Sequence, residues 1–326
     1  MKQLSIFLAW LAGALALGFI CTEFFDPYPQ TIIALMGINI VLAVSLNLVN
    51  GFTGQFSLGH AGFMAVGAYV SAFLTTVLFP HWLGSEFLSQ PIVQEAVLCA
   101  SILLGGAFSG IVGVLVGIPS LRLRGDYLAV VTLGFGEMIR IFILNIDAVG
   151  GARGFYGIPQ IVNLYWITIF VFLSVLFIQR VLKSVVGKQF MAVRDDETAT
   201  LAMGLSTTQI KVRSFVISSF FAGVAGALFA HYYAYLNPAT FTFNYSFQVV
   251  AMVVLGGMGS LTGSIVAAVL LTGLLEVLRG AQDYTGMDLR MVIYSLILIV
   301  IMLTRPQGIF GNRELWDYWR KKKASV

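Results

Sequence analysis

The chain's charged chemistry is concentrated between residues 183 and 213, where Lys183, Lys188, Arg194, Asp195, Asp196, Glu197, Lys211 and Arg213 interrupt two long apolar stretches. Acids and bases this close together can pair with one another, or they can offer charge-assisted hydrogen bonds to a second molecule. The stretch 187–203 has a helix-forming composition, with small Ala199 and Ala202 following the three acids, and Gly204 reads as its stop. A short helix that carries charges beside small residues can seat in a cleft of a soluble partner. The plain alternative is a solvated connection, although this one is much longer than the chain's other polar connections.

Other ionisable residues stand alone inside apolar runs. Glu137 and Arg140 lie three apart on one expected helix and can pair on one face, either as a self-neutralising structural pair or as part of a site. Glu276 and Arg279 repeat that spacing near a boundary. His60 and His231 have no second ligand at metal-like spacing, so each reads as a satisfied histidine facing other helices. Between residues 47 and 62 the chain is polar and rich in glycine, and Gly256-Gly257-Met258-Gly259-Ser260 forms a second such break. Irregular backbone at membrane depth is tolerated only where protein buries it or water lines it, so these breaks are either tight turns or borders of a path. No phosphate-binding Gly-x-x-x-x-Gly-Lys-Ser/Thr, His-Glu-x-x-His or Gly-x-Ser-x-Gly occurs, which argues against a nucleotide site or a hydrolase in this chain.

Apolar runs must position these residues. Of 326 residues 58% are hydrophobic and 10% charged, against about 25% charged in soluble domains. Such a chain cannot cover a water-facing globule, and it reads as an all-α, polytopic transmembrane helix bundle. Runs near the roughly 20 residues needed to cross a bilayer fall at about 4–21, 30–49, 56–79, 92–116, 127–145, 164–182, 214–236, 261–279 and 290–304. The run 247–255 is too short to span alone and reads as half of a hairpin or a broken helix. With it there are about ten segments, some discontinuous. Ten segments with both termini inside place fourteen of the nineteen basic residues on inner loops, from Lys2 through Arg122, Arg124 and the 183–213 island to the 305–326 tail. Only Arg153 falls on an outer loop, whereas nine segments would export the basic tail. The first run is long enough to be a retained helix and lacks the small-residue cleavage site of a signal peptide. The tail mixes Trp316, Tyr318 and Trp319 with Arg320 and three lysines, as a segment lying on anionic lipid would. No linker divides the chain, so 1–326 is read as one domain. The positive charge is explained by topology, not by nucleic acid, and Cys21 and Cys99 suggest neither a disulfide nor a metal site.

Several motifs resemble the membrane-spanning permeases of branched-chain amino acid ABC importers. They are Asn50-Gly51-Phe52-Thr53-Gly54-Gln55-Phe56-Ser57-Leu58-Gly59-His60-Ala61-Gly62, Leu123-Arg124-Gly125-Asp126-Tyr127, Thr132-Leu133-Gly134-Phe135-Gly136-Glu137, the 256–260 break, and Arg305-Pro306-Gln307-Gly308-Ile309-Phe310-Gly311. The resemblance implies a non-enzymatic, multi-pass subunit of the bacterial inner membrane, without a cofactor. Its partners would be a paired homologous permease, two cytoplasmic ATP-binding subunits, a periplasmic substrate-binding protein and a small amino acid. Arg194, Asp195, Asp196, Glu197, Ala199 and Gly204 would then form the coupling segment that docks the ATPase, although Glu197-Thr198-Ala199 departs from the Glu-Ala-Ala of the general signature. A path for small zwitterions needs weak amide and hydroxyl contacts, and the candidates are Asn39, Asn47, Asn50, Gln55, His60 and Glu137. The same family serves urea, short amides and other amino acids. A self-sufficient secondary transporter or channel would show carboxylate relays, but only Glu137 lies deep in a run. A scaffolding subunit would be indifferent to polar changes near Asn50 and His60.

Overall fold

A computed structural model describes residues 18, 22, 25–84, 90–121, 123, 125–285, 290–305, 307–311 and 314. Nearly all of the first apolar run, Arg122, Arg124, Pro306 and most of the basic tail lie outside the described residues.

Helix α1 (Pro27–Asn47) continues into a π turn (Leu48–Phe52). Helix α2 (His60–Phe73) likewise runs through a π turn (Leu74–Leu78) and a final helical turn (Phe79–Leu83). Then follow α3 (Pro91–Ser120), α4 (Asp126–Leu144), α5 (Leu164–Lys183), α6 (Val185–Asp195) and α7 (Glu197–Ala202). The chain is completed by α8 (Thr207–Tyr233), α9 (Phe243–Gly256), α10 (Leu261–Thr285) and α11 (Arg290–Thr304). Pro27 and Pro91 open their helices where a missing N–H costs nothing. Among the described residues the only β-type pairing is an isolated bridge, Phe155 to Leu236.

Eight stretches are long and apolar enough to cross a membrane among the described residues. The run 247–255 proves to belong to one of them. Its helix starts earlier, at Phe243, and the 3-10 turn Pro238–Thr240 extends it to the 19-residue stretch Pro238–Gly256. Within the described residues α11 covers fifteen residues, about 22 Å. The expected helix over 187–203 is two helices, broken at Asp196, whose backbone is extended (φ −157°, ψ 109°).

Helix α8 is the centre of the bundle and packs on α3, α2 and α1, while α10 packs on α1 and α9. Small residues set this spacing. A Cβ at Gly67 would overlap the backbone of Gly223, and one at Gly105 would lie 2.7 Å from the Gly67 carbonyl oxygen. Lipid supplies no hydrophobic drive between helices, so close contact of this kind does the work. Ser109 adds polar ties at the same crossing, donating to the carbonyls of Phe63 (2.9 Å) and Ser219 (2.7 Å). Helix α4 lies at the edge, and its outward residues Tyr127, Val130, Met138, Ile141 and Phe142 are exposed.

Candidate functional site

Two polar regions emerge. The first gathers at the end of the bundle that carries the 183–213 charges, hereafter the charged end. Helix α1 leaves its regular form at Asn47, and the buried Asn47 amide joins the two glycine breaks. Its Nδ2 donates to the Ser260 carbonyl and to Ser264 Oγ, both at 2.9 Å, and its Oδ1 accepts from the Gly259 amide at 2.9 Å. Gly51 lies against Gly259 so closely that a Cβ would overlap the Gly259 nitrogen. The breaks 47–62 and 256–260 are therefore one structure, written in two distant parts of the chain.

The C-terminal motif closes this junction. Ile309 and Phe310 donate their amides to the last carbonyls of α9, Leu255 (2.8 Å) and Gly256 (3.3 Å). The Glu314 carboxylate accepts from the Leu261 and Thr262 amides at 2.8 and 3.2 Å, capping the first turn of α10. Backbone groups that a helix break would orphan thus find partners on both sides. A carboxylate also suits the positive end of the helix.

The 183–213 island rests against this junction. Arg194 donates to the Gly51 carbonyl through Nη1 (3.4 Å) and pairs with Asp195 through Nη2 (2.9 Å). Asp196 caps α7, its Oδ1 accepting from the amides of Thr198 (2.8 Å) and Ala199 (3.0 Å). Glu197 accepts from Lys211 Nζ at 2.7 Å and from Thr207 Oγ1 at 3.1 Å, both at the start of α8. Lys211 is buried, so this ion pair fastens α7 to the foot of the central helix. From Thr198 to Gly204 every residue but the buried Thr200 is turned outward, among them Ala199, Leu201 and Met203, with Gly204 at φ +82° ending the segment. All three acids thus have partners within the chain, Asp195 through its exposed pair with Arg194.

The second region lies where the start of α9 meets the edge helix α4, and it is partly exposed. Glu137 Oε1 accepts the Phe243 amide at 3.1 Å, and Oε2 accepts from Arg140 Nε at 2.7 Å. The polar run from 47 to 62 re-enters the bundle beside this pair, with the Leu58 amide bonded to Thr132 Oγ1 (3.1 Å) and the Ala61 amide to Ser246 Oγ (2.9 Å). At Gly59 a Cβ would overlap the Thr132 carbonyl, which explains a glycine between two polar ties.

The other expected path residues are placed as follows. Asn39 is buried, donates to Thr272 Oγ1 and accepts from Tyr245 OH, both at 2.9 Å. Asn50 closes its own loop through the Ser57 amide (3.1 Å). Gln55 is half-buried, and its backbone N–H donates to the Val49 carbonyl at 3.0 Å. His60 is buried and shares a hydrogen bond with Ser45 Oγ (3.0 Å), while Ser218 Oγ donates to the Ser45 carbonyl (2.7 Å). His231 pairs in the same way with Thr75 Oγ1 (3.0 Å). Of the expected path set, Glu137 alone adjoins the exposed surface of α4. The partners Thr132, Ser246, Ser45 and Glu314 are not marked by the sequence, while Lys211 belongs to the charged island singled out there.

At the opposite end the 145–163 loop pairs with residue 236, the Phe155 amide donating to the Leu236 carbonyl (2.8 Å) and the reverse bond closing at 3.1 Å. Tyr69 stacks on Phe155 and meets Phe241 edge-on, its hydroxyl buried and without a hydrogen-bond partner among the described residues. Tyr156 lies against Tyr235 with ring centroids 4.6 Å apart, and a hydrogen bond between the phenols raises the Tyr156 hydroxyl above its ordinary value.

Residues 28–302 match the family described as "Branched-chain amino acid transport system / permease component". The high-affinity branched-chain amino acid transport system permease protein LivM of Salmonella typhimurium is 37% identical over 307 residues, 83% of this chain and 67% of that protein. A probable branched-chain amino acid transport permease protein LivM of Methanocaldococcus jannaschii is 26% identical over 88% of this chain and 94% of its own length. LivH of Escherichia coli K12, a permease protein of the same system type, is 23% identical over 84% and 92%. No solved structure matches the chain. With the match covering most of its length, the chain belongs to the branched-chain amino acid transport system permease family.

Proposed function

We propose that this multi-pass membrane protein is one permease subunit of an ATP-driven importer that moves branched-chain amino acids across the bacterial inner membrane. Its charged end faces the cytoplasm, as the distribution of basic residues favours, and so do both termini. The whole of 1–326 acts as one permease domain, and the basic tail lies on the inner leaflet. A paired homologous permease completes the path, two ATP-binding subunits dock on the charged end, and a periplasmic binding protein delivers substrate. The names of the relatives support the substrate class.

One observation carries this reading, which is that α6 and α7 are held at two points on the membrane-spanning core. Glu197–Lys211 joins α7 to α8, and Arg194 joins α6 to the π turn of α1. A partner that grips the exposed Ala199, Leu201, Met203 and Gly204 would pull on the central helix and on the glycine junction together. ATP-driven closure of the partner dimer then shifts α8 and α1 against α9 and α10, and a rigid-body shift of this kind alternates access.

Reconstitution with a paired permease, the ATP-binding subunits and a binding protein tests the reading through vanadate-sensitive uptake of leucine, urea and a basic amino acid. Leucine uptake that persists without any ATP-binding subunit would overturn it in favour of a self-sufficient transporter. Reversing Asp195, Asp196 and Glu197 to lysine is expected to leave ATP hydrolysis running while uptake falls at least tenfold. Unchanged uptake in that variant would remove the segment from coupling.

A further inference from the structure

We propose that the open face of α4 binds the charged head of the transported amino acid, Glu137 receiving the ammonium group and Arg140 the carboxylate. The inference rests on the importer reading above and adds to it the residues that read the substrate.

Glu137 lies eleven residues into α4, about 17 Å along its axis, and so near the middle of a hydrocarbon core about 30 Å thick. Its side chain is 29% exposed, and that of Arg140 is 24% exposed. Charges at this depth do not face lipid, since they face protein or water-filled space and mark pathways. Yet the surface beside them is open, because Tyr127, Val130, Met138 and Ile141 on the same face are each at least half exposed. Gly134 lies between them, and a Cβ built there meets nothing within 4 Å. The protein's own packing therefore does not account for this glycine, unlike Gly59, Gly67 and Gly136, which pack against neighbouring backbone. It leaves a notch one turn from the carboxylate.

The pair is built to exchange partners. Glu137 is held by two anchors, and only one of them is the arginine, because Oε1 is fixed by the Phe243 amide. Arg140 is bonded to Glu137 through Nε, and its Nη1 and Nη2 make no hydrogen bond among the described residues. Two terminal guanidinium nitrogens without a partner are the fork that binds a carboxylate. A substrate zwitterion supplies that carboxylate together with an ammonium to replace the contact at Oε2, so no net charge enters the membrane. Phe243 and Phe247, both partly exposed at the start of α9, provide apolar wall for an aliphatic side chain.

The test uses the whole importer in proteoliposomes, with Cys21 and Cys99 replaced and Gly134→Cys introduced as a reporter. A charged, water-soluble thiol reagent is expected to label Cys at that position, and millimolar leucine to slow labelling at least fivefold. Isoamylamine and 4-methylpentanoate, which each lack one charge, are expected not to protect. In the same background Glu137→Gln and Arg140→Gln are expected to abolish protection and to cut ATP-driven leucine uptake at least tenfold. The double Gln variant, which keeps a neutral hydrogen bond between the two positions, separates loss of charge from loss of fold. Labelling only by lipid-soluble maleimide, cross-linking of the reporter to the paired permease, or wild-type uptake in the double variant would each overturn the proposal. Leucine protection without ATP-dependent uptake in wild type would keep the site and remove the importer reading. Uptake in wild type without protection would do the reverse.

Discussion

Two ion pairs of equal length occupy opposite surroundings in this protein. Glu197–Lys211 and Glu137–Arg140 both close at 2.7 Å. In the first, the lysine is buried at the foot of α8, a threonine hydroxyl shares the carboxylate, and the surrounding junction is laced by Asn47, Arg194 and Glu314. The two carboxylates are about equally exposed, but in the second pair the cation is open as well, Arg140 at 24% against Lys211 at 4%, and the helix that bears it turns an unpacked face outward. A pair whose cation is buried and whose carboxylate is shared with a threonine transmits force, because the lysine cannot move without the acid. One with an open side can trade a partner. The difference lies in what surrounds the ions, since the ions themselves are alike.

Identical substitutions at the two regions should therefore have unlike effects. The largest is expected at glycine. Gly51→Ala forces a methyl group into the Gly259 backbone, which cannot swing away, and should cost about 3 kcal/mol, seen as loss of monodisperse protein in detergent. Gly134→Ala meets nothing and should leave thermal stability unchanged or raise it by up to about 1 kcal/mol through helix propensity. Equal losses at the two sites would break the comparison. Next come the cations. Lys211→Ala leaves Glu197 half-buried without its counter-ion and should cost about 2 kcal/mol, below the roughly 3–5 kcal/mol of a fully buried pair. Arg140→Ala, on the open face, should shift the melting temperature much less while reducing uptake. The smallest effect is at the helix cap. Asp196→Ala removes the acceptor for two α7 amides and should cost about 1 kcal/mol, visible as faster hydrogen exchange confined to 197–202.

The spans were legible because lipid imposes a length and a composition that any sufficiently apolar run reveals. The charged island was legible as a helix, but its break was not. Three acids in a row read as surface charge, whereas Asp196 is also a strong N-cap residue, and that preference was the overlooked signal. The two glycine breaks were each visible as irregular backbone. That they form one junction was hidden, because Asn47 and Gly259 are 212 residues apart and no local pattern links them. Asn39 and His60 attracted attention as polar residues in apolar runs. Their partners Thr272 and Ser45 lie on α10 and α1, and hydroxyls of this kind are too common in helices to stand out in a sequence. Glu314 sat inside a segment read as a basic tail, and its capping role depends on where α10 starts. Arg140 was visible as half of a pair, but its uncommitted nitrogens are a property of the three-dimensional surroundings.

The junction held by Asn47 also constrains how the protein is made. Translation proceeds at about 5–20 residues per second. The asparagine is therefore synthesised roughly 10–40 s before the Gly259 amide and Ser260 carbonyl that will satisfy it, 212 and 213 residues later. The amides of Ile309 and Phe310, which finish the same knot, are later still. Throughout that interval α1 carries the side-chain amides of Asn39 and Asn47 without their partners on α9 and α10 and at the break between them, so its settled position must await the arrival of both helices. A chain that ends before residue 259 would hold its first helices without the junction that locks them to α9 and α10.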